Sequence, residues 1–330
     1  MAASRTILLS SFMRNNSSAI PSDPIAQQSG GTSRRPERTD RKAAWRGSLL
    51  AAAGVVSFSG SFPATIFAMR GFDPYLVAIG RAAVAAVPAL ICLKAAGLPL
   101  LPPRERLGPY VLIVLGVVLG FPLFSGLALD GGASAAHAAV VTGLLPAATA
   151  ACAVLRAGER PRPLFWTACA AGALSVTVFT LTRGGGHFAM ADLLLVLALL
   201  SAAVGYTEGG RLARETPGWQ VISYALVLAA PITVPVTAVL AVSTHPEPTG
   251  VSLAGFAYVG LVSMFLGFIP WYAGLAMGGI ARAGQLQLAQ PLLTLVWAWW
   301  LLGERFGVAT VAAALAVLVC VATTQAGRRS

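Results

Sequence analysis

Charge is what this sequence has least of. Asp, Glu, Lys and Arg together make up 11% of its 330 residues, against roughly 25% in soluble globular proteins. That scarcity excludes a soluble enzyme, a nucleic-acid binder and a disulfide-stapled secreted domain. Only three histidines are present, His137, His187 and His245, too few for a multi-histidine metal centre. The four cysteines, Cys92, Cys152, Cys169 and Cys320, sit inside apolar runs with neither metal-ligand nor paired spacing. No Gly-x4-Gly-Lys-Ser/Thr stretch occurs, so ATP does not drive this chain directly. No cofactor or metal signature is found. No midplane nucleophile or acid pair suggests a membrane-embedded enzyme. No Asp or Glu falls at the centre of any apolar run, which gives carboxylate-based proton or sodium coupling little support.

What fills the space instead is hydrocarbon. Hydrophobic residues are 56% of the chain and mean hydropathy is +0.75. A spanning helix needs about 20 apolar residues. Ten such runs follow one another, at 47–68, 74–95, 108–128, 133–155, 164–183, 190–210, 219–242, 252–276, 280–302 and 307–326. Continuous rather than alternating apolarity disfavours a β-barrel. The runs predict an all-α polytopic membrane protein with ten transmembrane helices. Residues 1–46 are polar and basic, and read as a disordered cytoplasmic tail. The net charge of +11 is a topology signal. With the N-terminus inside, nineteen of the 23 Lys and Arg fall on the inner side, and three, Arg70, Arg183 and Arg305, on the outer. Arg81 lies within a helix. This bias predicts cytoplasmic N- and C-termini, with the lipid bilayer as a partner and no nucleic acid.

The chain also repeats itself. Pro122-Leu-Phe-Ser-Gly-Leu-Ala128 matches Pro270-Trp-Tyr-Ala-Gly-Leu-Ala276 at an offset of 148. Pro146 to Gly158-Glu159-Arg160 matches Pro291 to Gly303-Glu304-Arg305 at an offset of 145. The matches fall in the third and fourth helices of each half, which divides the chain into five-helix repeats at 47–183 and 184–330. Five is odd, so the second repeat enters from the opposite side, giving two inverted five-helix repeats, a frequent plan of secondary transporters. Two such halves, each closing its fourth helix with Gly-Glu-Arg, resemble the EamA-type drug/metabolite transporter superfamily. Gly80-Arg81-Ala82-Ala83 in the second helix is similar to the arginine context common there. The resemblance covers about residues 47–326. It implies a ten-helix basket and the export or exchange of small metabolites by alternating access.

Individual residues then acquire candidate roles. Arg81 is a cation about two turns inside its helix, so it faces the bundle interior or a wet cavity. Two roles are open to it: pairing with Asp73 or Asp130 at the rim, or lining the substrate path. Gln287, Gln290 and Thr294 share a face of the ninth helix beside Pro291, with Gln285 on the same helix. The proline leaves the Gln287 carbonyl without its helical donor. The fourth helix offers Thr142 and Pro146 in the corresponding places. These polar groups line a cavity or bond helices together. Trp271 and Tyr272 follow Pro270 and are candidates to stack on a ligand. Trp297, Trp299 and Trp300 read as interface aromatics. The substrate path is therefore expected at Arg81, Thr142, Trp271, Tyr272, Gln287 and Gln290. His137 and Glu208 are second choices for coupling, set against a wetted histidine at a helix entrance and a local pair with Arg211 or Arg214. Gly158 and Gly303 suit left-handed helix ends. Glu159 and Glu304 are expected to accept N–H groups from the helix that follows each of them. The expected function is export of a small organic metabolite such as an amino acid or organic acid. Efflux of amphipathic cations and a non-transporting scaffold or lipid-handling role are the alternatives.

Overall fold

The structure, a computed structural model, describes residues 38–157, 163–183, 189–278 and 286–328. Ala43–Ser330 is one compact unit, and of the other, Met1–Lys42, only 38–42, the start of α1, are described. Residues 1–37 of the expected tail lie outside the described residues, as do Gly158, Glu159 and Gln285, whereas 38–46, expected to be disordered, are helical as the start of α1. Among the described residues every regular element is helical. In hydrocarbon each backbone N–H and C=O must find its partner within the segment, which helices achieve and open strands do not. Seven helices are long and apolar enough to cross a membrane: Trp45–Met69, Pro74–Ala95, Arg104–Asp130, Ala135–Arg156, Met190–Leu212, Gly218–Ser243 and Gly250–Met277. Pro163–Phe179, Ala289–Leu302 and Val308–Thr323 are shorter apolar helices.

Several of these segments are broken into pieces. The first is α1 (Arg38–Ser59) and α2 (Ser61–Met69), and the second is α3 (Pro74–Ala95). The third runs α4 (Leu107–Ile113), a π-helical stretch Val114–Gly120, then α5 (Phe121–Asp130). The next comprises α6 (Ala135–Thr142) and α7 (Leu145–Ala157). After these come α8 (Pro163–Arg183), α9 (Met190–Leu212) and α10 (Gly218–Ser243). Then α11 (Gly250–Ala257), a second π-helical stretch Tyr258–Leu266 and α12 (Phe268–Gly278) form one segment. α13 (Ala289–Leu302) and α14 (Val308–Arg328) complete the chain.

The two π-helical stretches have a local cause. Each runs up to a repeated proline, Pro122 or Pro270, whose missing N–H leaves the carbonyl four residues earlier without its α-helical donor. The ladder widens to i→i+5 just before it. Phe121 N–H reaches the Gly116 carbonyl, and Gly267 N–H reaches that of Val262 at 2.7 Å. Capping is equally legible. The Asp73 carboxylate accepts from the N–H groups of Tyr75 and Leu76, with Pro74 opening α3. Ser134 caps α6, and Gly303 ends α13 in the left-handed region at φ +66°.

Packing respects an exchange of the two halves. α3 packs on α10, α6 on α13 and α8 on α14, each against its own counterpart in the repeat. α2 packs on α11, and in the exchanged pair α9 packs on α4 and α5. One close helix approach is glycine-lined: a Cβ on Gly116 would lie 2.6 Å from the Ser201 carbonyl and 2.8 Å from the Gly205 nitrogen. Small residues at such crossings replace the hydrophobic driving force that lipid removes.

Candidate functional site

At the centre of the bundle is a narrow cavity of about 20 Å³, on a measure by which one water needs roughly 10–15 Å³, so a substrate requires it to widen. α1 and α2 supply Phe58, Ser61 and Phe62, and α3 supplies Arg81. The two π-helical stretches add Val117, Ser263 and Met264, while Thr142 and Leu145 come from α6–α7 and Tyr206 from α9. Gln290 of α13 completes the polar lining. A second, smaller space of about 10 Å³ adjoins it, since Thr142 and Gln290 line both. Gln287, Pro146, Pro291 and Thr294 form the rest of its polar and proline wall.

Arg81 dominates the chemistry. It is 4% exposed. Its Nη2 donates to Ser263 Oγ at 2.8 Å, and that hydroxyl lies 2.6 Å from Ser61 Oγ. Its Nε is buried and has no hydrogen-bond partner. The expected alternative, an ion pair with Asp73 or Asp130, is not what forms. Asp73 is committed to the N-terminus of its own helix, and Asp130 lies exposed at the end of α5. No carboxylate among the described residues lines either cavity. Two amide atoms share the Arg81 situation: Gln287 Nε2 and Gln290 Oε1 are buried and unpartnered. Unmet buried hydrogen-bonding groups are costly without water or a ligand, and here three of them belong to residues lining these two neighbouring spaces.

The other expected residues fall around this core. Thr142 borders both spaces, and its hydroxyl donates to the Ala138 carbonyl at 2.6 Å, leaving lone pairs for a ligand. Trp271 and Tyr272 line neither space. They are 2% and 0% exposed, one layer back, with the Trp271 ring 6.1 Å from Phe58 and 5.7 Å from Tyr206, both wall residues. Aromatic residues that the sequence did not single out, Phe58, Phe62, Phe121, Tyr206 and Phe268, make the wall. Ser61 and Ser263 were also missed. The signal available for Ser263 was its position seven residues before the repeated Pro270, inside the widened turn. Trp297 is half-buried and its Nε1 donates to Ser59 Oγ at 2.9 Å, whereas Trp299 and Trp300 are exposed.

Both ends of the α6–α7 and α9 pair are tied by polar side-chain pairs, with the cavity between. At one end His137 Nε2 lies 3.0 Å from Asp192 Oδ1. The other Asp192 oxygen accepts from Ala189 N–H, and the His137 ring meets Phe179 edge-on at 5.5 Å. At the far end Glu208, 2% exposed, takes Arg156 at 2.6 Å and Arg211 at 2.9 Å. Arg156, 52 residues away in sequence, was not foreseen.

Glu304 corrects a further expectation. It does not serve the helix that follows it. Its two oxygens accept from Ala135 N–H at 2.8 Å and Ala136 N–H at 3.0 Å, capping α6 in the opposite half. The positive end of the α6 dipole explains the preference for an anion there. Gly303 supplies the left-handed residue that turns Glu304 toward α6, with Glu304 N–H on the Ala298 carbonyl at 3.1 Å.

A multi-pass helical membrane protein with a polar, partly unsatisfied cavity enclosed by its helices has the build of a membrane transporter. The sequence pattern of the EamA-like transporter family matches residues 45–181 and again 189–324. A Bacillus subtilis (strain 168) protein described as "Uncharacterized transporter YdeK" is 44% identical over 277 residues, spanning 82% of this chain and 94% of that protein. A solved crystal structure of 23% identity aligns with a TM-score of 0.58 over 85% of this chain and 98% of that one, a likeness of fold. The chain belongs to the EamA-like transporter family of the drug/metabolite transporter superfamily, and is a membrane transporter rather than an enzyme.

Proposed function

We propose that this protein is a ten-helix inner-membrane secondary transporter that exports a small organic metabolite, an amino acid or organic acid, by alternating access. Its halves, 47–183 and 184–330, are inverted repeats, and both termini are cytoplasmic. The exchange symmetry of the helix pairings and the paired π-helical stretches support the repeat, and the 19-to-3 distribution of Lys and Arg supports the orientation. The observation that carries the reading is the buried Arg81 guanidinium facing a central cavity without an acidic neighbour. Substrate contacts fall to Arg81, Thr142, Gln290 and Gln287, with Trp271 and Tyr272 backing the aromatic wall.

Alternating access gives the two ties a function. In this orientation His137–Asp192 lies at the outer end and Arg156–Glu208–Arg211 at the inner end. Breaking either one opens the cavity to one side only. His137 and Glu208 are then the residues through which protons or salt couple to the cycle: a charged imidazole strengthens the outer tie.

The test is counterflow in proteoliposomes with the purified protein. Gln290→Leu and Thr142→Val should lose most of the flux while eluting and melting like the parent. Undiminished flux in both would remove this cavity from the path.

A further inference from the structure

We propose that the ligand of the central cavity is an amine-free monoanion: a carboxylate on an apolar or aromatic body, such as a hydroxy or oxo acid, rather than a zwitterionic amino acid. The inference rests on reading the cavity as the transport site and narrows its substrate class.

The argument begins with charge. Among the described residues lining the cavity Arg81 alone carries one, and no described carboxylate neutralises it there. An uncompensated cation away from water is unfavourable, so occupancy by a net negative ligand brings the missing counter-charge. Geometry fixes the anion's type. Nε is free, and Nη2, bonded to Ser263 by one hydrogen, keeps a second. A guanidinium edge with two such N–H groups to spare is the fork that a carboxylate meets with both oxygens.

An α-ammonium would sit beside that carboxylate. It would then face the guanidinium at close range in a low-dielectric site, where like charges repel strongly. No anionic group among the described lining residues offsets this. The polar lining other than Arg81 consists of Ser61, Ser263, Thr142, Tyr206 and Gln290, all uncharged groups. Gln290 Oε1 is an unmet acceptor, which suits a hydroxyl donor and brings no negative charge. The remaining surface, with Phe58, Phe62, Phe121 and Phe268 prominent, calls for an apolar body.

Four probes sharing one aromatic body and differing in head group test this: 3-phenyllactate, 3-phenylpropanoate, phenylalanine and phenethylamine. Binding is read by thermal shift and calorimetry on the full-length purified protein at neutral pH. The two monoanions should bind at least tenfold more tightly than phenylalanine, and phenethylamine should not compete. Arg81→Gln should reduce anion binding more than tenfold. Arg81→Lys should bind more weakly than the parent but keep the order of the probes. The ligand ranking of the parent protein stands on its own if the variants misfold. Phenylalanine binding as tightly as phenyllactate, phenethylamine binding best, or no probe binding would each overturn the proposal. The transport reading fails separately. Anion binding as expected, with no exchange of phenyllactate across proteoliposomes, would overturn transport and leave the binding class standing. Exchange of phenylalanine in preference would do the reverse.

Discussion

Glu304 and Gly303 work as a joint, and each half of the joint has its own energetic signature. The carboxylate satisfies two of the N–H groups that a helix start leaves without partners. Losing such a cap costs about 0.5–2 kcal/mol. Glu304→Ala should therefore lower the apparent melting temperature of the purified protein measurably, and Glu304→Gln by less, since an amide oxygen still accepts. At Gly303 the space beyond the backbone is open, so only the positive φ opposes a side chain. Gly303→Ala is expected to destabilise by roughly 1–2 kcal/mol. Gly108, also facing open space but inside α4, should accept alanine with no loss, because alanine is the better helix former. Equal behaviour of the two variants in a thermal melt would show that the turn at Gly303 is not rigid.

Between elements, two contacts set how closely the helices approach. Gly116 lets α9 come near enough that an added methyl would strike main-chain atoms of Ser201 and Gly205, which cannot rotate away. Gly116→Ala should cost roughly 1–3 kcal/mol, the usual penalty of overpacking. Gly126→Ala, whose nearest neighbour would be the Ala78 methyl at 3.6 Å, should be tolerated. The second contact is the Arg156–Glu208–Arg211 tie. Each arginine is about half exposed while Glu208 is buried, so either guanidinium alone keeps the carboxylate paired. Arg156→Ala and Arg211→Ala should each cost about 1 kcal/mol or less. The double variant should cost about 3–5 kcal/mol, because it strands a buried charge. Additive losses in chemical denaturation would mean that the two arginines act independently.

For the whole molecule the prediction is topological. A reporter inserted beside His245 should read as external and one at the C-terminus as cytoplasmic, as the distribution of Lys and Arg requires. A cytoplasmic reading at His245 would reverse the orientation assigned to the two ties, and with it which tie faces the outside. The same arrangement predicts that cross-linking the outer tie, through cysteines at 137 and 192, should arrest flux in proteoliposomes while leaving ligand binding in place. Unchanged flux with the cross-link formed would remove that end from the conformational cycle.

Much of this was legible in the linear chain, for a physical reason. A bilayer demands about 20 apolar residues per span and full internal hydrogen bonding, so helices announce themselves locally. The repeated Pro122 and Pro270, Pro146 and Pro291, and the left-handed glycine before Glu304 are likewise local backbone requirements, visible without knowing the fold. The partners of charged and polar side chains were not. Arg81 meets Ser263 across 182 residues, Glu304 caps a helix 168 and 169 residues before it, and Arg156 reaches Glu208 from another segment. Periodicity places a residue on a face but does not say which helix packs against it, so only tertiary packing decided these pairings. Packing also moved Trp271 and Tyr272 behind the cavity wall and left Arg81, Gln287 and Gln290 with unmet hydrogen bonds at its surface.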